Sequence, residues 1–397
     1  MADQRVAIVG VGTTAFARRI PDKSVLGLSC EAVRKAADDA GIAIHDIDGI
    51  LVQENRANPR YHLELSEALG LYDKPLCATI GLGGASAGYA VDIARWALRS
   101  GRCKYVLVVV AGKESAEGRT TRGHGNTDRI ATWSGHSPHY EQPYGPIMAS
   151  YYGSVAQRHM YEYGTTVEQL ASVSVAMRHN ASLNPDAVYR TPITHDDVLN
   201  SRMISSPLHL LHCCVINDGG IAYVLTTEER ARDLPQPPVY VLGTGGGHAG
   251  YWTGFLANGD PTGRYTLTRT LAEKAGVEAF AEAGVDRADI DVVGVCDNFA
   301  ITPIVLLEDY GFCKKGEGGA FVGNGDRIKV GGELPVNPHG GALSCNHAGI
   351  NHHSYVEAVL QLRGQAGARQ VADAKLALAT ATAGIVSTHQ ATVLGNE

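Results

Sequence analysis

A histidine near the C-terminus carries the clearest chemical signal in the sequence. Residues 337–349 read Asn-Pro-His-Gly-Gly-Ala-Leu-Ser-Cys-Asn-His-Ala-Gly, and a helix-like pattern ending at Arg363 follows them. His347 stands among small and polar neighbours, which let a ligand approach the imidazole and the backbone together. We therefore predict that His347 works in a binding or catalytic site.

Several histidines crowd this stretch, so a metal site has to be weighed against a single working imidazole. Their spacing matches no standard zinc pattern, and no carboxylate alternates with them. We expect neither a bound metal nor a resident cofactor here. The four histidines, within fifteen residues, are His339, His347, His352 and His353.

Composition sets the class of protein. The chain has 397 residues, 44% of them apolar, and a formal charge of -7. It can bury a large core, and without a basic block it is a poor partner for nucleic acid or an anionic membrane. The sequence has no run of eighteen apolar residues, so we expect no membrane span. The first predicted strand begins at Val6, and we expect no secretory leader before it. Eight scattered cysteines suit free thiols, so we expect a cytoplasmic α/β enzyme.

Strand-like and helix-like segments alternate along most of the chain. Residues 114–208, rich in Tyr, His, Arg and Pro, interrupt the alternation and predict an inserted loop-and-helix domain. Such a domain is a usual place for substrate contacts, although its Tyr and His clusters could equally serve in an interface or in core packing. The proline-rich segment 235–238 predicts a linker between an N-terminal half, 1–235, and a C-terminal half, 239–397. The glycine-rich segment 243–247 lacks the ending of a phosphate loop, and we expect a flexible connection there.

The second half repeats motifs of the first at matched spacings. Such duplication predicts two similar α/β layers whose loops meet at a pseudo-twofold axis. Three loops should therefore converge: the turn at 81–88, the turn after Val295 and the loop around His347. Sites in such folds lie where helix N-termini offer backbone donors. The repeated segments are 40–42 and 46–48 against 283–285 and 289–291, and 83–85 against 340–342.

These features together resemble the thiolase superfamily, over essentially the whole chain. The duplicated halves and three segments, 207–220, 296–299 and 337–349, are similar to the sterol-carrier-protein-x type of thiolase. The resemblance implies a thiolase fold of two halves in five α-β-α-β-α layers. It also implies CoA-thioester substrates and a homodimer or larger assembly.

The residues that carry thiolase chemistry are changed in this chain. A thiolase needs a nucleophilic cysteine at the head of a helix, where the helix dipole lowers the thiol pKa. By the resemblance that cysteine falls on Gly84. A second cysteine, expected within 381–384, is also missing, and the histidine of the third motif falls on Cys296. Only His347 matches its motif, so ordinary thiolysis is not expected.

A retro-aldol reaction is compatible with these changes. The chain resembles the steroid side-chain aldolases of the superfamily, including at 306–319 and 384–393. Those enzymes also lack the cysteine, cleave a β-hydroxyacyl-CoA and work with a zinc-ribbon and OB-fold partner of the DUF35 type. The reaction needs donors for the thioester enolate oxygen. His347 and the backbone N–H groups near Gly84, Ala383 and Gly384 are the candidate donors.

The same reaction needs a base for the β-hydroxyl proton. The tyrosines that serve as acid and base in those aldolases correspond to Cys296 and Cys345 here. Cys296 could substitute if its thiol pKa were lowered, although free cysteines are often small buried hydrophobes. Asn298 could hold a catalytic water or only cap a turn.

Acyl transfer and a purely non-catalytic role stay open beside the retro-aldol reaction. Cys296 or Cys345 could serve as a displaced nucleophile for acyl transfer, since a histidine-paired thiol is an activated one. Cys345 precedes His347 by two residues. Alternatively, the chain is a non-catalytic thiolase-like subunit of a complex, and Gly84 marks a lost active site.

Overall fold

The secondary structure comes from a computed structural model, which describes residues 4–55, 58–113, 147–248 and 265–397. The strands in these ranges are β1 Val6–Thr13, β2 Gly49–Gln53, β3 Leu76–Ile80, β4 Tyr105–Lys113, β5 Met203–Ser205, β6 Leu208–His209, β7 Asp218–Thr227, β8 Val239–His248, β9 Val292–Gly294, β10 Leu376–Ala383 and β11 Thr388–Gly395. The α-helices are α1 Val25–Ala40, α2 Tyr61–Ala68, α3 Ser86–Arg99, α4 Met148–Tyr163, α5 Val167–Ser182, α6 His195–Leu199, α7 Glu228–Ala231, α8 Ala272–Ala283, α9 Ile301–Asp309, α10 Gly318–Val322 and α11 His352–Leu362.

The main sheet consists of two matching series of strands that run outward from its centre, and β3, at one edge, is its one described strand without a counterpart. In the described residues it runs β3-β2-β4-β7-β1-β8-β11-β10-β9. β4 lies between parallel β2 and antiparallel β7, and β10 lies between parallel β9 and antiparallel β11. The two halves join where β1 pairs with β8, with Val6 opposite Val241. This symmetry confirms the duplication expected from the repeated motifs.

Helices lie on the outer face of each half and between the strands of the two halves, which gives the expected five layers. α1 packs on β1, β7 and β4 at one outer face, and α8 packs on β8 and β11 at the other. α3 contacts strands of both halves, and so does α11. The α-β-α-β-α arrangement of the thiolase fold is therefore confirmed, with α3 and α11 in the middle layer.

Paired glycines in β1 and β8 allow the outer helices to approach closely. A Cβ on Gly10 would lie 2.2 Å from the carbonyl oxygen of Ala36 in α1. At the matching place, a Cβ on Gly243 would lie 2.2 Å from the carbonyl oxygen of Ala279 in α8. The expectation of a flexible connection at 243–247 is wrong, because these residues belong to β8. Gly243 and Gly245 of this segment pack against α8.

The repeated aspartates have equal roles in the two halves. Asp48 accepts hydrogen bonds from two N–H groups at the start of β4, at 2.9 and 3.0 Å. Asp291 does the same at the start of β10, at 2.8 and 3.0 Å. In each copy the aspartate follows a short 3-10 turn, Ile44–Asp46 or Arg287–Asp289, and its carboxylate fixes where β4 or β10 begins.

The proposed domain boundaries stay predictions. Residues 114–146 of the expected insert lie outside the described residues, and the described remainder contains α4, α5, α6, β5 and β6. The expected linker, 235–238, directly precedes β8. Among the residues that the structure describes, no helix is long and apolar enough to cross a membrane.

Candidate active site

Gly84 lies in a short 3-10 turn, Gly83–Ala85, which leads directly into α3. It is half-buried. A Cβ at this position would lie 2.5 Å from the carbonyl oxygen of Thr382 and 2.6 Å from Nδ2 of Asn351. The first of these atoms is backbone, so it cannot rotate away. A cysteine side chain therefore does not fit where the superfamily nucleophile is expected.

The space next to Gly84 is occupied by an amide from the other half of the chain. Nδ2 of Asn351 donates to the carbonyl oxygens of Gly84 and Thr382, both at 3.0 Å. Asn351 precedes α11 and is 4% exposed. One side chain therefore joins the turn before α3 to the end of β10.

Ala383 and Gly384 form the opposite wall. Both are half-buried, at and just after the end of β10. A Cβ on Gly83 would lie 3.6 Å from Cβ of Ala383, so the two segments face each other across an ordinary contact distance. The structure thus brings Gly84, Ala383 and Gly384 together. Their role as oxyanion donors stays a prediction.

His347 follows a π-helical turn, Gly341–Cys345, and is half-buried. Its backbone N–H donates to Oδ1 of Asn217 at 2.8 Å, and Nδ2 of Asn217 donates to Oδ1 of Asn346 at 2.8 Å. The loop then turns back, with the N–H of Ile350 donating to the carbonyl of His347 at 3.0 Å. Ile350 would contact a Cβ on Gly84 at 3.6 Å, so the histidine loop reaches the same site.

Cys296 is buried in the core beside this site and is 2% exposed. Burial raises the pKa of its thiol to about 12, against smaller opposing effects that include hydrogen bonding from Asn351. A thiol with such a pKa is almost entirely protonated at neutral pH. Its suggested use as base or nucleophile stays a prediction, and its surroundings disfavour it.

Cys345 is also fully buried, within the π-helical turn. Its Sγ accepts from Nδ2 of Asn184 at 3.4 Å and lies 3.9 Å from Nδ1 of His353. Burial raises the pKa of the thiol well above its usual value and lowers that of His353 well below its own. Two neutral partners do not form the ion pair of an activated thiol, so this environment disfavours Cys345 as nucleophile.

Asn298 is half-buried and caps a turn. Its Oδ1 accepts from the N–H of Phe299 at 3.0 Å and from Oγ1 of Thr302 at 2.8 Å, at the start of α9. One of the two expected roles, capping, is therefore present. The role in holding a catalytic water stays a prediction.

Tyr152, a buried tyrosine on α4, also reaches the site, although no sequence pattern predicts it. Its hydroxyl donates to the carbonyl of Gly384 at 3.1 Å, and its ring stacks on Phe299 with 4.5 Å between centroids. Burial raises the phenol pKa, so the group stays protonated and can donate but not act as a base. No spacing in the sequence distinguishes it from the other tyrosines of 147–208.

The remaining histidines of the cluster belong to the core. Burial lowers the pKa of His339 and of His352 to about 3, so both are neutral. The rings of His339 and His353 pack together with 4.2 Å between centroids. In the described ranges no group of three or more His, Cys, Asp or Glu residues is placed to hold a metal.

Comparison with known proteins fits this architecture. The Thiolase C-terminal domain-like family model matches residues 260–396. A steroid side-chain-cleaving aldolase of Thermomonospora curvata is 35% identical over 96% of this chain and 95% of its own length. An acetyl-CoA acetyltransferase of Methanothermobacter thermautotrophicus is 36% identical over 94% of each.

A solved structure agrees with these relatives. The Ltp2-ChsH2(DUF35) aldolase superimposes with a TM-score of 0.84 at 32% identity, covering 99% of this chain and 98% of that one. Fold, length and identity all agree over nearly the whole sequence. The chain therefore belongs to the thiolase superfamily, in the branch of sterol-carrier-protein-x-like thiolases and steroid side-chain-cleaving aldolases.

Proposed function

We propose that this protein cleaves a carbon–carbon bond of a β-hydroxyacyl-CoA by a retro-aldol reaction, without a covalent acyl-enzyme. The observation that carries the proposal is the crowding at Gly84, where a Cβ would lie 2.5 Å from a backbone oxygen. Acyl transfer of the thiolase kind needs a thiol at that place, whereas a retro-aldol reaction does not. The name of the aldolase relative supports the same choice.

The reaction breaks the Cα–Cβ bond and, overall, moves a proton from the β-hydroxyl oxygen to Cα. A base removes the β-hydroxyl proton, the hydroxyl oxygen forms a carbonyl with Cβ, and the Cα–Cβ bond breaks. Its electron pair passes into the thioester enolate, which then takes a proton at Cα. In our proposal His347 and the backbone N–H groups near Gly84, Ala383 and Gly384 hold the enolate oxygen. CoA enters as part of the substrate, and no separate cofactor is needed.

Acyl transfer is the second candidate because an acetyl-CoA acetyltransferase is 36% identical to this chain. It would require Cys296 or Cys345 as nucleophile. Both thiols are buried, and burial raises the pKa of each. Neither lies at the N-terminus of a long helix, where the helix dipole would favour a thiolate. These observations make acyl transfer the weaker candidate.

Partners and location extend the same proposal. The solved aldolase with TM-score 0.84 carries a DUF35 component in its name, which supports a zinc-ribbon and OB-fold partner for this chain. We further propose a homodimer in the cytoplasm, from the sequence resemblance and composition. Copurification with a DUF35 protein encoded in the same genome, followed by mass measurement of the native complex, tests the assembly.

Intact mass and product analysis test the chemistry. The protein, alone and with its copurified DUF35 partner, is incubated with β-hydroxyacyl-CoA and β-ketoacyl-CoA thioesters bearing short, aromatic and steroid groups. Our proposal expects unmodified protein, a shorter acyl-CoA and a ketone or aldehyde. A mass increase equal to the acyl group would establish acyl transfer instead. Neither adduct nor product in either preparation would identify a non-catalytic subunit.

Substitutions test the roles of His347, Cys296 and Cys345 in the reaction. His347→Ala should lower kcat by about 10²- to 10³-fold, the usual cost of one lost oxyanion donor. Cys296→Ala and Cys345→Ala should keep product formation, and Cys313→Ala serves as a control thiol outside the site. Loss of turnover in either of the first two cysteine variants, but not in the control, would favour a catalytic thiol.

A further inference from the structure

One atom in the middle of the candidate site lacks a hydrogen-bond partner. Asn351 is 4% exposed, and its Nδ2 donates to the carbonyl oxygens of Gly84 and Thr382. No donor in the part of the chain that the structure describes reaches its Oδ1. Leaving a buried acceptor unpaired costs about 1–3 kcal/mol, so this arrangement is expensive unless a ligand completes it.

The orientation of this amide is fixed by its neighbours. Turning the side chain over would place Oδ1 against two carbonyl oxygens and remove both hydrogen bonds. Nδ2 therefore faces Gly84 and Thr382, and Oδ1 faces the opposite way. The backbone of Asn351 has φ 67° and ψ -35°, which non-glycine residues seldom adopt. Such a residue persists where its surroundings require that side chain at that place.

Asn180 shows what the same arrangement looks like when its role is only structural. Its Nδ2 also donates to two successive carbonyl oxygens, those of Val336 at 2.9 Å and Asn337 at 3.3 Å. Its Oδ1, however, accepts from the N–H of Val330 at 2.8 Å. Both polar atoms of the Asn180 side chain therefore have hydrogen-bond partners within the protein. Asn351 makes the same pair of donated hydrogen bonds but, among the described residues, has no donor to its Oδ1.

The surroundings of Asn351 indicate which kind of group would supply that donor. The buried thiol of Cys296 lies beside the amide and is a weak donor. Gly84, whose carbonyl oxygen the amide contacts, and Ile350, which precedes Asn351 in the chain, are half-buried. On the substrate of the proposed reaction, the thioester oxygen is an acceptor and the β-hydroxyl is a donor. The candidate donors for that oxygen leave the hydroxyl in need of an acceptor.

We propose that Oδ1 of Asn351 accepts a hydrogen bond from the β-hydroxyl of the bound substrate and so selects β-hydroxyacyl over β-deoxyacyl and β-ketoacyl chains. The inference rests on the proposed function and names the specificity residue of that site. An amide oxygen is too weak a base to keep the proton. Its part is to position the hydroxyl, and proton removal belongs to another group.

Binding of an unreactive probe tests the inference without turnover. The probe is the thioether analogue of a β-hydroxyacyl-CoA that the enzyme cleaves; it has no carbonyl and cannot form an enolate. Its dissociation constant is compared with that of the matching β-deoxy thioether by calorimetry. The wild-type protein should prefer the hydroxyl probe by roughly three- to tenfold, the range expected for one neutral hydrogen bond. Asn351→Ala should abolish the preference.

The control variant is Asn180→Ala, which removes the same kind of twin hydrogen bond elsewhere. It should lower stability and keep the hydroxyl preference. Free CoA binding reports whether each variant is folded, and Asn351→Ser replaces Asn351→Ala if the latter no longer binds CoA. A preference retained in the Asn351 variant, or absent from a wild-type protein that cleaves β-hydroxyacyl-CoA, would overturn the inference. Absence of cleavage by the wild-type protein would overturn the proposed function instead.

Discussion

The two Gly-Gly-Ala turns of the duplicated fold share a framework and differ in burial. In the first copy Glu54, directly after β2, accepts from the N–H of Gly83 at 2.9 Å. In the second copy Asp297, three residues after β9, accepts from the N–H groups of Ala342 and Leu343 at 2.7 and 3.1 Å. Both copies therefore place a carboxylate against the N–H groups of the turn.

The chain that follows the two turns differs. The first turn is half-buried and continues directly into α3, so it stays open toward the site. The second is buried, winds into the π-helical turn 341–345 and needs residues 346–351 before α11 begins. That extra loop carries His347 and Asn351. The first copy thus supplies a half-buried turn with its backbone groups, and the second copy supplies the side chains of the site.

The largest predicted effect comes from adding a methyl group to equivalent glycines. Gly83 and Gly340 both have positive φ, at 55° and 102°, so alanine strains the backbone at each. A Cβ on Gly340 would also lie 2.5 Å from Cβ of Ala181 in α5, whereas the nearest atom to one on Gly83 is 3.6 Å away. Gly340→Ala should lower the free energy of unfolding by about 2–5 kcal/mol, against about 1–2 kcal/mol for Gly83→Ala.

Urea unfolding of the two variants measures the difference between the turns. Each variant is the control for the other, because both have the backbone cost and only one has the contact. Equal losses of stability would mean that the second turn is no more tightly packed than the first. That result would contradict the difference in burial between the half-buried first turn and the buried second turn.

Much of this framework could be predicted from residue types and spacings. The repeated Asp-Ile-Asp and Gly-Gly-Ala segments predicted two equivalent halves, and Asp48 and Asp291 do make equivalent hydrogen bonds. Such motifs act over a few residues, so their effect is visible in the sequence. The convergence of the 81–88 turn with the loop around His347 follows from the symmetry alone.

The side chains that complete the site could not be predicted in the same way. Asn351 reaches Gly84 across 267 residues, and Tyr152 reaches Gly384 across 232. Neither contact leaves a local pattern, because each depends on packing between the halves. The cysteines show the converse case. Cys345 looks paired with His347 along the chain, yet its thiol lies beside His353 in the core, at 3.9 Å.

Asp297 should make stability depend on pH in a way that is unusual for a carboxylate. Burial raises its pKa to about 7, so the folded protein keeps the proton at pH values where the unfolded chain has lost it. Stability should therefore fall as pH rises from about 4 to about 7, by on the order of 1.4 kcal/mol for each pH unit. Above pH 7 this contribution should be constant.

Asp297→Asn isolates that contribution. The amide cannot ionise, so the difference in unfolding free energy between wild type and variant should shrink steadily as pH rises through this range. Urea titrations at pH 5, 6, 7 and 8 measure it. A difference that is independent of pH would mean that Asp297 is ionised throughout, held by the N–H groups of Ala342 and Leu343.

The smallest effect is expected at the equivalent carboxylate of the first turn. Glu54 is half-buried, and a glutamine in its place would keep one oxygen for the N–H of Gly83. The substitution removes the interaction of a negative charge with the N-terminal end of α3, which is worth about 0.3–1 kcal/mol, and turns an NH₂ group toward Oγ of Ser86, which donates to Oε2 at 3.4 Å in the wild type. At Asp297 an amide must instead turn an NH₂ group toward one of two buried N–H donors. Glu54→Gln should therefore destabilise less than Asp297→Asn at pH 5, where Asp297 keeps its proton and the cost of replacing it is greatest, and urea unfolding at that pH compares the two variants directly. The reverse order would mean that the half-buried first turn depends more on its carboxylate than the buried second turn does. The difference in burial between the two copies would then not determine how much each carboxylate contributes to stability.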